Sequence, residues 1–163
     1  MFCGLEPEQK LALFLSSFTN KLDAKGRVSL PAPFRSALGE DLTRGVVVFA
    51  SHQYPCLEGF DFSRMAEISA RLDRFDLFST EQDDLATMVF GASVQLCPDA
   101  DGRIILPSEL CASAGLCDAV TFVGLGNKFQ IWAPEAFEKR RTQARSAVKD
   151  GKLTIPNKGG AHE

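Results

Sequence analysis

The chain has 163 residues, 45% of them hydrophobic and 24% charged, with a formal net charge of −3 at pH 7. That length suits one compact domain or two small intertwined ones with a sizeable core. No segment approaches the ~18 consecutive apolar residues of a membrane span, and the net charge does not announce a nucleic-acid binder, so the distribution of charge carries more information than its sum.

The opening MFCGLEPEQKLALFL lacks a positive leader and places Glu6 and Glu8 before its apolar run. That argues against a signal peptide and for a cytoplasmic protein. Residues 1–13 read as an N-terminal extension with room for a short helix. The five cysteines (3, 56, 97, 111 and 117) form no CxxC, and the only histidines are His52 and His162. Cys111 and Cys117 lack partners at ligand spacing, so reduced thiols are expected and no metal or other cofactor.

Residues 22–31, LDAKGRVSLP, return at 98–107 as PDADGRIILP, identical at Asp, Ala, Gly, Arg, Leu and Pro. Gly26 and Gly102 supply backbone conformations that other residues resist. Asp23 and Asp99 can accept hydrogen bonds from the turn amides. Val28 and Leu30, and likewise Ile104 and Leu106, alternate as the inward face of a strand. Pro31 and Pro107 end the ladder, since proline has no amide to donate.

The similarity continues beyond the phrase. Short helical segments, PFRSALG (33–39) and SELCASAG (108–115), close on glycines suited to helix ends. GVVVFA (45–50) and AVTFVG (119–124) then read as strands, followed by CLEGF (56–60) and FQIW (129–132). Met65, Ile68, Leu72 and Phe75 keep a helical spacing. TEQD (80–83) resembles a cap for a helix through Leu85, Met88 and Val89. Phe137, Arg141, Ala144 and Val148 form a weaker stripe behind Pro134. The tail NKGGAHE is expected to fray.

Each copy therefore reads as strand, tight turn, strand, short helix, strands, helix. A unit of about 50–60 residues is marginal alone. Two units can bury their apolar faces against each other, which predicts a mixed α/β, mainly β fold: a pseudo-symmetric barrel drawing strands from both halves.

The copies differ in charge. Residues 15–39 set Lys21, Lys25, Arg27 and Arg35 against Asp23 alone, whereas residues 91–115 set Arg103 against Asp99, Asp101 and Glu109. In both, the Asp and Arg could simply tie a hairpin together, and that reading suits the second copy better. In the first, Lys25 fills the slot of Asp101, and cations on a rigid turn suit phosphate contact and guanine readout by an arginine fork. The acidic middle (Glu67, Asp73, Asp76, Glu81, Asp83, Asp84) reads as a solvated helical surface. The basic run KRRTQAR (139–145) fits either a solvated or subunit-bridging helix face or a second phosphate-contacting patch.

The pair FTNKLDAKGRVSLPAPFR and DADGRIILP, with a helical middle between them, resembles the MraZ family of bacterial transcriptional regulators over about Phe14 to Val148. The resemblance implies two SpoVT/AbrB-like repeats, at 14–62 and 92–134, clasped as a swapped-hairpin barrel. A helical connector (63–91), a C-terminal helix (135–150) and a flexible tail (151–163) complete the layout. It further implies a repressor of the division and cell-wall gene cluster. Such a protein binds tandem G-rich promoter repeats in double-stranded DNA as a ring-like homo-oligomer, associated with the nucleoid.

The family's D-x-x-x-R motif falls on Asp23 and Arg27, and again on Asp99 and Arg103. Its DNA-contacting basic residues fall on Lys25 and Arg27, with Lys21 nearby. Gly26, Pro31, Gly102 and Pro107 take structural roles. Two departures stand out: the extension before Phe14 is longer than the family's Met-Phe start, and the acidic surroundings of Arg103 suggest pairing with Asp99 or Asp101 rather than DNA contact. Several weak loops on one ring would add by effective concentration.

The alternative reading is an oligomeric scaffold that keeps the fold without specific DNA binding. An enzyme is poorly supported: no histidine stands near a candidate nucleophile, and there is no phosphate-binding glycine loop or ligand cluster.

Overall fold

The computed structural model describes residues 12–158. The first half contributes β1 (Ser17–Lys21), β2 (Arg27–Ser29), α1 (Ala32–Leu38), β3 (Val46–Ala50), β4 (Leu57–Asp61) and α2 (Phe62–Leu72). After α3 (Thr80–Ala86), which runs into a π turn at Thr87–Gly91, the order repeats. It continues with β5 (Val94–Leu96), β6 (Arg103–Ile105), α4 (Ser108–Ser113), β7 (Ala119–Gly124), β8 (Phe129–Trp132) and α5 (Pro134–Asp150).

Six strands form one antiparallel sheet in the order β1-β7-β8-β4-β3-β5, and β2 pairs with β6 in a separate ladder. Strands of the two halves are thus interleaved. Exchanging equivalent strands maps β1·β7 onto β5·β3 and β7·β8 onto β3·β4, while β4·β8 and β2·β6 map onto themselves. The hydrogen-bonded order is open, with β1 and β5 at its ends, so ladder pairing by itself does not draw a closed barrel.

Side-chain alternation explains why GVVVFA is apolar throughout. Val46 and Val48 enter the main core, while Val47 and Phe49 face the other way, packing against Met65 of α2 and Val89. The opposite half of that outer face is covered by α5, whose Phe137 packs on Trp132. Both faces of the central strand β3 are therefore covered, and both take apolar residues there. Beside them the outer face also buries Glu58 and Gln130, which bond each other at 2.9 Å.

The main core joins sheet, ladder and α1. Phe34 of α1 meets Phe14 at 5.1 Å, Phe18 at 5.7 Å and Phe129 at 5.3 Å between ring centroids. Val28 and Ile104 face each other at the centre of the β2–β6 ladder and are almost wholly buried. Gly59 has no side chain because the ring of Phe129 fills the space a Cβ would take.

Several helix boundaries differ from the sequence expectation. The cap of α3 is Ser79, whose hydroxyl accepts from the Gln82 amide, one residue before the expected Thr80. The helix of Met65 and Ile68 ends at Leu72, leaving Phe75 beyond it and exposed. No residue of α5 is buried, and Val148 is half exposed, so the weak stripe is anchored chiefly through Phe137. Pro31 and Pro107 end the ladders and also stand as the N-caps of α1 and α4. The expectations for residues 1–11 and 159–163 lie outside the described residues. Among the described residues, no helix is long and apolar enough to cross a membrane.

Candidate nucleic-acid interface

The two motif copies form the same turn. In the first, the Asp23 amide donates to Arg27 O at 3.0 Å and the Gly26 amide to Asp23 O at 3.0 Å. Asp23 Oδ1 also accepts from the backbone amides of Lys25 and Arg27, each at 2.9 Å. In the second, the Asp99 amide donates to Arg103 O and the Gly102 amide to Asp99 O, while Asp99 Oδ1 accepts from the amides of Asp101 and Arg103. Arg27's amide, then its side chain, holds the Asp23 carboxyl below its ordinary value. The Arg103 amide chiefly does the same for Asp99.

Gly26 and Gly102 sit at φ +83° and +77°, where a side chain is strained. Each turn is also bonded to the opposite half: Leu106 donates to Gly26 O at 2.8 Å, and Leu30 to Gly102 O at 2.9 Å. A Cβ on Gly26 would lie 2.5 Å from the Leu106 carbonyl oxygen. The turns are therefore fixed by chain segments about eighty residues away.

The arginines behave differently. Arg27 Nε donates to Asp23 Oδ2 at 2.7 Å, while among the described residues the Arg103 side chain pairs only with Asp101, at 3.9 Å. The side-chain tie that the sequence suits to the second copy is tight in the first. Acidic surroundings do bring Arg103 towards Asp101, but at the limit of an ion pair. Both arginine side chains are more than two-fifths exposed.

Val28 and Ile104 point inwards from the ladder, so alternation turns Arg27, Ser29, Arg103 and Ile105 outwards. Arg27 stands opposite Ile105 and Ser29 opposite Arg103, which puts the arginines on a diagonal of one face. Lys25 is exposed on the turn, and Lys21 is exposed at the end of β1 just before it. Among the described residues neither lysine enters an ion pair.

Two contributors were missed in the sequence reading. Asn20 donates to Ser29 O at 2.8 Å, tethering the end of β1 to β2. Arg35 donates through Nε to Leu30 O at 3.2 Å and lies against Gly102. The signal for Arg35 was its cation in an otherwise uncharged PFRSALG, whose counterpart in the second copy is Cys111.

The basic run of α5 is partly occupied: Arg140 stacks on the Tyr54 ring at 4.5 Å, and Arg141 pairs with Glu138 at 2.9 Å. Burial pushes the Cys56 thiol up to about 12 and raises that of Cys111, so neither is an activated nucleophile. Among the described residues no group of three or more potential ligands could hold a metal ion.

Comparison with known proteins accounts for both halves. The family model described as "MraZ protein, putative antitoxin-like" matches residues 13–87 and 89–157. A transcriptional regulator MraZ of Gluconacetobacter diazotrophicus is 45% identical over 152 residues, covering 91% of this chain and 95% of the relative. Its namesake from Gluconobacter oxydans is 44% identical, covering 85% and 87%. That of Rickettsia akari is 39% identical, covering 89% and 97%. With a motif turn in each half and relatives matched along nearly their whole length, the chain belongs to the MraZ family.

Proposed function

We propose that this protein is a sequence-specific DNA-binding transcriptional regulator, acting as a repressor of the division and cell-wall gene cluster. Its reading element is the first motif turn: Arg27 pairs with guanine, Lys25 contacts the guanine edge or an adjacent phosphate, and Lys21 contacts phosphate. The observation that carries this reading is Arg27 Nε bonded to Asp23 on an outward-facing ladder. Asp23 orients the side chain and leaves the two Nη groups to donate elsewhere, and such a fork matches O6 and N7 of guanine.

The relatives' names support a regulatory role. A swapped-hairpin, pseudo-two-fold barrel is the natural closure of a pairing pattern that maps onto itself. A ring of such chains would present several turns to tandem G-rich repeats and gain avidity without new contacts. Leu77 and Phe78, exposed at 76% and 86%, supply apolar surface suited to such association. A regulator of this kind works in the cytoplasm, at the nucleoid.

The test is an anisotropy titration of tandem G-rich and scrambled fragments over a range of salt. The wild-type protein should prefer the G-rich fragment, with affinity falling steeply as salt rises. Arg27→Ala should abolish that preference while leaving fold and assembly intact. Unchanged affinity in Arg27→Ala would overturn the assignment. No binding by the wild-type protein at low salt would leave the scaffold reading.

A further inference from the structure

Arg35 on α1 and Cys111 on α4 are equivalent under the offset that relates the two motif phrases. Their local bonds correspond: Arg35 Nε reaches Leu30 O at 3.2 Å, and the Cys111 thiol reaches Leu106 O at 3.8 Å. Beyond those bonds the two halves part. The Arg35 guanidinium fills the space above Gly102, with Nη1, Cζ and Nε lying 2.5, 2.7 and 2.9 Å from where a Cβ would stand. Leu30 also donates its amide to Gly102 O at 2.9 Å. One residue at the exit of β2 is thus held through its N–H by the second turn and through its C=O by Arg35.

On the other side the thiol is too short to cover the first turn. A cavity of about 380 Å³ remains there, lined by Lys25, Gly26, Leu106, Ser108, Cys111 and Cys117. The two turns share one backbone hydrogen-bond pattern; the first adds the Arg27–Asp23 tie within the turn, and among the described residues only the second is covered by a guanidinium from a helix.

We propose that Arg35 is a positioning residue for DNA recognition, locking the exit of the reading strand β2 onto the second motif turn, while Cys111 leaves the first turn unbraced from its own side. This rests on the DNA-binding reading above. Arg27 opens the three-residue strand β2 and Leu30 directly follows its end, so fixing Leu30 fixes the tilt at which Arg27 and Arg103 share their face. The fork geometry matters as well as the charge, because Nε bonds the carbonyl while the rest of the plane lies on the glycine.

Amide hydrogen exchange without DNA tests the brace. In the wild-type protein the amides of Gly102 and Arg103 should exchange on the order of tenfold more slowly than those of Gly26 and Arg27. Arg35→Lys and Arg35→Ala should each remove that difference, and Cys111→Arg should slow exchange at Gly26 and Arg27. Arg35→Lys keeps the charge and the helix, so it decides the matter if the alanine variant folds poorly. Equal exchange at the two wild-type turns, or protection retained in Arg35→Lys, overturns the brace.

Binding to the tandem G-rich fragment tests its consequence. Both Arg35 variants should bind about tenfold more weakly, the scale of one lost charge-assisted hydrogen bond, with the salt dependence unchanged. A logarithmic salt slope smaller by about one would mean that Arg35 itself touches a phosphate, and would overturn the positioning role. Unchanged affinity in both variants would overturn it too. Failure of the wild-type protein to bind at all would instead remove the DNA reading, and the recognition role with it.

Discussion

Arg27 donates to Asp23 across 2.7 Å within the first turn, whereas the equivalent carboxylate of Asp99 is bonded to backbone amides and leaves Arg103 to a looser contact with Asp101. Two five-residue phrases that differ only at Lys25 and Asp101 thus build one turn with an oriented arginine and one without. Orientation before binding lowers the entropy cost of recognition, since the side chain is already ordered.

Asp23→Asn should therefore weaken specific DNA binding about tenfold, on the scale of one charge-assisted hydrogen bond, with little change in fold. The pH dependence follows from the direction of the shift. The folded Asp23 carboxyl sits below its ordinary value, so the tie is complete above the usual aspartate range and is lost as pH falls through the lowered value. Specific affinity measured from pH 5 to 8 should show no contribution from Asp23 titration. A midpoint near neutrality that vanishes in Asp23→Asn would contradict the assignment.

Glycine replacements should separate backbone strain from collision. Gly115 has φ +62° and, among the described residues, open space around it, so Gly115→Ala carries backbone strain alone, about 1 kcal/mol. Gly26→Ala adds the clash with the Leu106 carbonyl oxygen to a similar strain and should cost several times more, about 3 kcal/mol. Denaturant unfolding of the two variants checks the order. Equal losses would show that the turn can retreat from Leu106.

Asp61 makes the opposite pH prediction. It is 3% exposed, its Oδ1 has no hydrogen-bond partner among the described residues, and burial raises its carboxyl above the ordinary value. A raised folded value means that the folded state holds the proton more tightly. Its contribution to stability is full below the unfolded aspartate value and is lost as pH rises through the folded one. Asp61→Asn should remove that loss and leave the protein as stable or about 1 kcal/mol more stable at pH 7. Thermal melts at pH 4 and pH 7 check it: the wild-type protein should lose more on going to pH 7 than the variant does.

Much of the local structure was legible because its causes lie within a few residues. The positive-φ glycines, the alternation that buries Val28 and Ile104, and the prolines that end the ladders all act over one turn or one strand. The one-residue error at Ser79 has an equally local cause: Ser79 and Gln82 match the capping pattern better than Thr80 and Asp83, since Asp is the poorer partner, and the Ser79 hydroxyl does meet the Gln82 amide. The early end of α2 is different. Phe75 keeps the helical period, but the chain leaves the helix after Leu72 and the ring stays exposed.

The candidate site was legible in part. Lys21 and Lys25 are exposed and Arg27 is half-buried on the outward face of β2; the duplication singled out the two lysines by the charge that the second copy lacks, and Arg27 by its recurrence as Arg103. Arg35 was hidden because its partners, Leu30 and Gly102, are brought together only by the β2–β6 ladder.

By itself, then, the sequence determined two equivalent sets of elements, two glycine turns and a cationic bias in the first. Tertiary structure alone decided that β1 pairs with β7 and β4 with β8, that Thr19 bonds Thr121 at 3.0 Å, and that Arg35 crosses to the other half's turn. The reason is physical. Turn and strand preferences act through neighbouring atoms, while register between halves is set by which apolar faces can be buried together, a property of the whole chain.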